Sequence, residues 1–274
     1  MTLISLLLVL TIERLTTQSK YWQAEFYFGH YQQWIEARNW LKDSNGSWAL
    51  FALIFIPSLL FFYVAQQIDN SLISLIFNAS ILMVCIGCPG LRATYKCFLQ
   101  AANRGDLQAC SMYADQLGHD ENSIQSFGQN LVWLNFRHYA AVIIWFAVFG
   151  AAGAVLYTLA RGFEDRLTES DHQVAPQATS IMNILNWVPV RITALGFLLV
   201  GHFSKALPIW LGYLPDTSIS AKTLLAEVSK AAEDIEPDES DCTEEPCTLV
   251  RLAKRNITFI LVAISLLTLT GWVA

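Results

Sequence analysis

Between Asn183 and Trp210 the chain reads NILNWVPVRITALGFLLVGHFSKALPIW, which sets Asn183, Asn186, Arg191, His202 and Lys205 within 23 residues of otherwise apolar sequence. Leaving a charge at the bilayer centre costs at least about 2.5–3.5 kcal/mol on insertion scales, so such side chains face a cavity or a partner. A guanidinium presents a fork of donors that fits carboxylate or phosphate. Arg191, Lys205, His202, Asn186 and Asn183 are therefore candidate ligand-binding residues, and His202 and Glu13 are candidate proton-transfer groups for any catalysis. Pro189 is expected to interrupt the hydrogen-bond ladder just ahead of Arg191, with Gly201 and Pro208 flanking His202 and Lys205. Broken helices at membrane depth expose backbone groups to a lined cavity. With 192–208 helical, Arg191 and His202 fall about three turns apart and bracket a pocket rather than touch. The plainer alternative makes Arg191 a helix cap, Lys205 a snorkelling side chain and His202 a locally bonded one.

A second polar group lies in WLNFRHY at 133–139, where Asn135, Arg137 and His138 precede an apolar run. Arg137 suits an anionic ligand, or equally a positive-inside anchor. Cys85 and Cys88 form C-x-x-C, but no second cysteine or histidine pair accompanies them. Zinc needs four ligands, or three and a water, and the two thiols read as small apolar residues in a helix, so no metal is expected. Cys242 and Cys247 could pair only in an outside loop. The chain has no P-loop, GxGxxG or HExxH, which argues against standard ATP hydrolysis; the cofactor is left unassigned and no nucleic-acid partner is expected.

The elements that must position these residues are membrane helices. Of the 274 residues, 54% are hydrophobic and 15% charged, against about 25% charged in soluble domains. Trp48–Ala65 and Leu72–Gly90 are apolar runs joined by a connector whose only charge is Asp69, and about 18 such residues cross a hydrocarbon layer of roughly 30 Å. Tyr139–Ala160 and Asn256–Val273 are two more, and Ile192–Leu214 a less clear one. Thr2–Ile12 is apolar but too short to span, and it lacks a small-residue cleavage site, so it is expected to be retained and to pack among the others. The tryptophans near helix ends fit interfacial anchoring.

The expected fold class is all-α: a polytopic helical membrane protein with four to five spans, a cytoplasmic helical hairpin and a mobile acidic loop. The segments are 1–47, an N-terminal apolar helix and a cytoplasmic aromatic-rich stretch; 48–91, a transmembrane hairpin; 92–138, a cytoplasmic helical segment; 139–161, a transmembrane helix; 162–214, the polar-cluster segment with a membrane helix; 215–255, an acidic loop; and 256–274, a C-terminal transmembrane helix. Lysine and arginine in the 13–47 and 91–138 loops, and none in 66–71, place the first two inside. Asn103–Arg104–Gly105–Asp106 is the turn of the 92–129 hairpin. Between Glu227 and Glu245 nine carboxylates face one lysine, a solvated run that also accounts for most of the net charge.

LLLVLTIERL at the start, WLNFRHYAAVIIWF in the middle and NWVPVRITALGFLLVGHFSKALPIW together resemble the AmpE family, membrane proteins encoded beside the amidase AmpD in Gram-negative bacteria and linked to control of β-lactamase expression. The resemblance runs the whole chain, except that the acidic 227–245 stretch is not part of the pattern. NWVPVRITA is also similar to the CobD/CbiB cobalamin-biosynthesis family at Asn186, Pro189 and Arg191. The first likeness implies a multi-pass protein of the bacterial inner membrane with a regulatory or sensory role in cell-wall recycling. Its expected partners are the lipid bilayer, a cell-wall fragment or anionic small molecule in a polar intramembrane cavity, and a cytoplasmic protein at 91–138. The second implies an enzyme that forms an amide bond on a phosphate-bearing polar substrate, with Arg137, Arg191 and Lys205 on anionic groups; of the two readings the non-enzymatic one ranks first. A permease is disfavoured because no inverted repeat is evident. A homodimer is suggested by the few spans and the aromatic content.

Overall fold

The computed structural model describes residues 2–15, 20–38, 40, 46–120, 123–214, 219–233 and 243–271. Among them the regular structure is helical, with no strand. The order is α1 (Thr2–Leu15), a short 3-10 turn, α2 (Ala24–Glu36), α3 (Gly46–Gln66), α4 (Ser71–Cys85), α5 (Pro89–Asn103), α6 (Leu107–Gln116) and α7 (Phe127–Asn135). A π-turn (Phe136–Ala140) leads into α8 (Ala141–Phe149), followed by α9 (Ala151–Glu169), α10 (Ala175–Val200), α11 (Phe203–Tyr213), α12 (Ala221–Ala232) and α13 (Glu244–Leu269). By length and composition Gly46–Gln66, Phe127–Phe149, Ala175–Val200 and Glu244–Leu269 can each cross a membrane, and α4 with α5 makes a fifth if that broken pair is one span. The protein is an all-α, multi-pass membrane protein.

Several expected boundaries move. The run 139–160 is not one helix: the chain breaks at Gly150, whose φ of 61° is a left-handed conformation open to glycine. The crossing helix instead begins at Phe127, and α9 doubles back. The run 192–214 breaks at Gly201 and His202, so the span there is the earlier stretch Ala175–Val200. Pro189 lies inside that helix without ending it, since one missing donor is tolerated where neighbouring helices pack around it. The second arm of the 48–91 hairpin stops at Cys85, because the chain is extended at Ile86 and at Cys88, the residue before Pro89. The 215–255 loop is largely helical: Ser220 caps α12, and α13 starts at Glu244, where two carboxylates suit a helix N-terminus. Asp234–Cys242 lie outside the described residues.

Two compact units divide the chain: residues 1–87, 141–186 and 264–274 form unit 1, and residues 88–140 and 187–263 form unit 2. In unit 1, α9 is the central helix, packed by α3, α4 and α8. Its AAGAV start permits this closeness, for a Cβ on Gly153 would overlap the Trp145 carbonyl oxygen. Ala151, Ala154, Tyr157, Ala160 and Phe163 are all buried. The outer faces of α3 and α4 carry exposed Ile56, Leu59, Leu60, Leu72 and Ile76, as a lipid-facing surface requires. The short apolar α1 packs on α4 through buried Leu6 and Val9.

In unit 2, α5 and α6 form the expected hairpin. Gly105 takes φ 70° in its turn, and the Asp106 carboxylate accepts from the Ala109 N–H at 3.0 Å to start α6. Phe98, Ala101 and Cys110 make its core. Ser126 and Gln129 form a reciprocal capping box at the head of α7, and the Ser126 hydroxyl also donates to Glu245 at the head of α13. Gln129 Nε2 donates to the Ala226 carbonyl of α12 at 3.1 Å, and Leu224, Leu225 and Val228 complete the packing.

Candidate functional site

The polar residues of the NWVPVRITA region lie on a single long helix and divide between the two units. In unit 1, Asn186 is buried, and Tyr157 of α9 donates its phenolic O–H to Asn186 Oδ1 at 2.8 Å. One turn beyond Tyr157 stands Arg161, 5% exposed, and Glu13 of α1 is 4% exposed. A guanidinium and a carboxylate this deep are retained only with partners. Asn183, three residues before Asn186, is on the exposed side of α10. Asn78 of α4 works in the same interior: its Oδ1 accepts from the Ala151 N–H at 3.2 Å and so satisfies the start of α9. Trp145 Nε1 donates to the Leu185 carbonyl at 3.2 Å.

In unit 2, Arg191 is half-buried. Its Nη1 donates to the Trp187 carbonyl one turn back at 3.1 Å, and the guanidinium lies 4.2 Å from the centre of the Trp187 ring. Its plane is thereby fixed on its own helix. Two residues on, the Thr193 carbonyl accepts from Asn256 Nδ2 at 3.0 Å, and a Cβ on Gly196 would collide with the Asn256 amide. That seam locks α10 to α13. Arg255 closes the end of α10 by donating to the Val200 carbonyl and to Glu233 at 3.2 Å, the placement a helix C-terminus favours. His202 caps α11 and sends its backbone N–H to Ala232 O at 2.7 Å, while its ring and Lys205 are exposed. Arg191, His202 and Lys205 thus occupy three positions: mid-helix on α10, the start of α11, and its first turn.

The FRHYA segment is a single π-turn, a form found often at functional positions. It carries Arg137, 5.8 Å from the Trp133 ring centre, and half-buried His138; Asn135 ends the preceding helix. Burial, and then the nearby Arg137 charge, hold the Lys222 ammonium of α12 below its ordinary pKa. Two cations thus approach one another. Among the described residues no group of histidine, cysteine and carboxylate side chains is suited to a metal.

Tyr157, Asn78, Lys222 and Arg255 are not among the site residues expected from the sequence, where Lys222 and Arg255 count only as basic residues ahead of the last helix. Tyr157 and Arg161 are spaced i, i+4 in a run of small residues, a legible sign of one polar stripe inside a packed helix. Asn78 and Lys222 carry no such sign.

The family described as Regulatory signalling modulator protein AmpE matches residues 1–274. The chain belongs to the AmpE family. It is 30% identical over 290 residues to protein AmpE of Shigella flexneri, covering 99% of each chain. A more distant likeness, 27% over 190 residues, is to the cobalamin biosynthesis protein CobD of Chromobacterium violaceum, covering 64% of this chain and 59% of that one. No solved structure matches. In this AmpE-family protein the buried Asn186, bonded to Tyr157 of α9, and the stacked Arg191 therefore lie on successive turns of one helix, α10.

Proposed function

We propose that this chain is an inner-membrane regulatory protein that links cell-wall recycling to control of β-lactamase expression, and that it responds to an anionic ligand such as a cell-wall fragment. The observation that carries the reading is the match to a regulatory signalling family over the full chain. The polar groups of α10 support it, because Arg191, held over the Trp187 ring, is a forked donor of the kind that suits a carboxylate or phosphate. Lys205, His202, Asn135 and Arg137 are further proposed contacts, and a cytoplasmic protein partner would carry the signal onward. The test is β-lactamase induction in cells bearing Arg191→Ala, together with thermal unfolding of the purified protein against anhydro-muropeptides. Ligand at 100 times its dissociation constant stabilises a single-site protein by about 2.7 kcal/mol. The reading expects altered induction at normal membrane levels and a stabilising shift that Arg191→Ala removes; normal induction in that variant rejects the site.

A second reading, a CobD/CbiB-like ligase acting on a phosphate-bearing substrate, is favoured only by the 27% likeness. It expects Mg-ATP or a cobyric-acid-like amphiphile, rather than muropeptide, to shift unfolding.

A further inference from the structure

Arg38, just past the end of α2, is set between two indoles. Its guanidinium carbon is 4.3 Å from the Trp34 ring centre and 5.7 Å from that of Trp40, and the two rings meet edge to face at 5.0 Å. Arg38 is exposed, and among the described residues the two rings are the only partners of its side chain. An arginine stacked this way has lost little freedom to give and keeps its edge donors for a planar or tetrahedral anion.

The helix that carries it has a fixed place in unit 1. Tyr31 donates its phenolic O–H to the Leu53 carbonyl of α3 at 3.0 Å, Phe28 meets Phe163 of α9 edge to face at 5.2 Å, and Ile35 is fully buried. Leu53 is seven residues into α3, so this tie lies about 10 Å along the span from its start. Tyr27, Trp34 and Trp40 remain exposed. On α3, the span to which Tyr31 ties this helix, Trp48, Phe51 and Phe55 follow one another and are also exposed. An aromatic helix tied at that depth matches one lying in the headgroup layer with its apolar face roughly 5–10 Å deep.

We propose that α2 lies in the plane of the membrane interface and that Arg38, clasped by Trp34 and Trp40, binds the phosphate of an anionic phospholipid headgroup. The commitment to lipid rests on the tie of this aromatic helix to α3, whose outward side is apolar, and on the charge of a guanidinium that no carboxylate among the described residues neutralises. The inference is independent of the regulatory reading above.

Native mass spectrometry of the full chain, released from micelles holding equal phosphatidylglycerol and phosphatidylcholine, tests it. The wild type should retain phosphatidylglycerol about fivefold over phosphatidylcholine, as one basic side chain near an anionic surface supplies. Arg38→Gln should bring the ratio close to one. Arg38→Lys, which keeps the charge and loses the planar guanidinium over the rings, should fall between. Lys230→Gln, an equal charge change at an exposed position of α12, should leave the ratio as in the wild type. Equal retention of both lipids by the wild type, or an unchanged ratio in Arg38→Gln, would overturn the proposal. Displacement of the lipid by millimolar inorganic phosphate would also overturn it, assigning the clasp to a soluble anion.

Discussion

Unit 1 and the α5, α6 and α12 helices of unit 2 are built by opposite rules. In unit 1 the outward residues are large and apolar, as at Ile56, Leu59 and Leu72, while the interior admits Asn78, Tyr157, Arg161, Asn186 and runs of alanine and glycine. In α5, α6 and α12 the interior is Phe98, Leu224, Leu225 and Val228, and Arg104, Gln108 and Lys230 point outward. Lipid gives apolar side chains no reason to leave the surface, so helices there meet through small residues and interior hydrogen bonds. The second set follows the pattern that water imposes, with apolar side chains inside and polar ones outward. Asp106, Ser126 and Ser220 cap their own helices, as Asn70 caps α4 in unit 1, whereas α9 is capped by a side chain from α4.

The sharpest way to break this contrast is to make the interior of unit 1 apolar. Arg161→Leu should cost about 3–5 kcal/mol, since it leaves buried partners of a charge uncompensated, and should show as loss of folded protein in the membrane. Retention at wild-type levels would mean the polar interior is dispensable. Next in size is Gly153→Ala, where the new methyl meets backbone rather than a movable side chain. Overpacking of this kind typically costs about 1–3 kcal/mol, seen as a lowered unfolding midpoint in detergent.

For the other rule, Asp106→Ala removes a cap and should cost about 1 kcal/mol; hydrogen exchange should then rise in α6 first. The smallest effect is Lys222→Gln. Relief of a like-charge approach is worth about 0.2–0.5 kcal/mol, here stabilising. The pH dependence supplies a signature: with the folded-state value lowered from 10.5, the unfolded chain binds the proton to higher pH, so stability rises as pH climbs through the range below 10.5. The substitution should flatten that rise in chemical-unfolding curves between neutral and alkaline pH.

The two rules also explain what could be read in advance. The α5–α6 hairpin and its turn were legible because Asn-Arg-Gly-Asp is turn chemistry and the amphipathic period flanks it. The number of spans was legible from hydropathy, but not which stretches they are: α9 is as apolar at its start as a lipid-facing helix, and only its surroundings make it a core. Gly150 reverses the chain inside the run AVFGAAGAV, where a glycine attracts no notice among other small residues. Asn186 and Arg191 were legible as polar residues in an apolar run. Their partners were not, since Tyr157 comes from another helix and Trp187 serves as stacking surface and carbonyl at once. Lys222 was hidden because its meaning comes from Arg137, 85 residues earlier.

The bond from the Ala151 amide to Asn78 joins positions 73 residues apart, and its direction in the chain bears on biogenesis. The acceptor is translated first. When Gly150 emerges and the polypeptide reverses, the amide that begins α9 finds a carbonyl already installed on α4, so no orphaned donor need wait in a medium without water. Were the order reversed, the turn would have to be inserted unsatisfied. Chain order here matches the order in which each newly made segment can be accommodated.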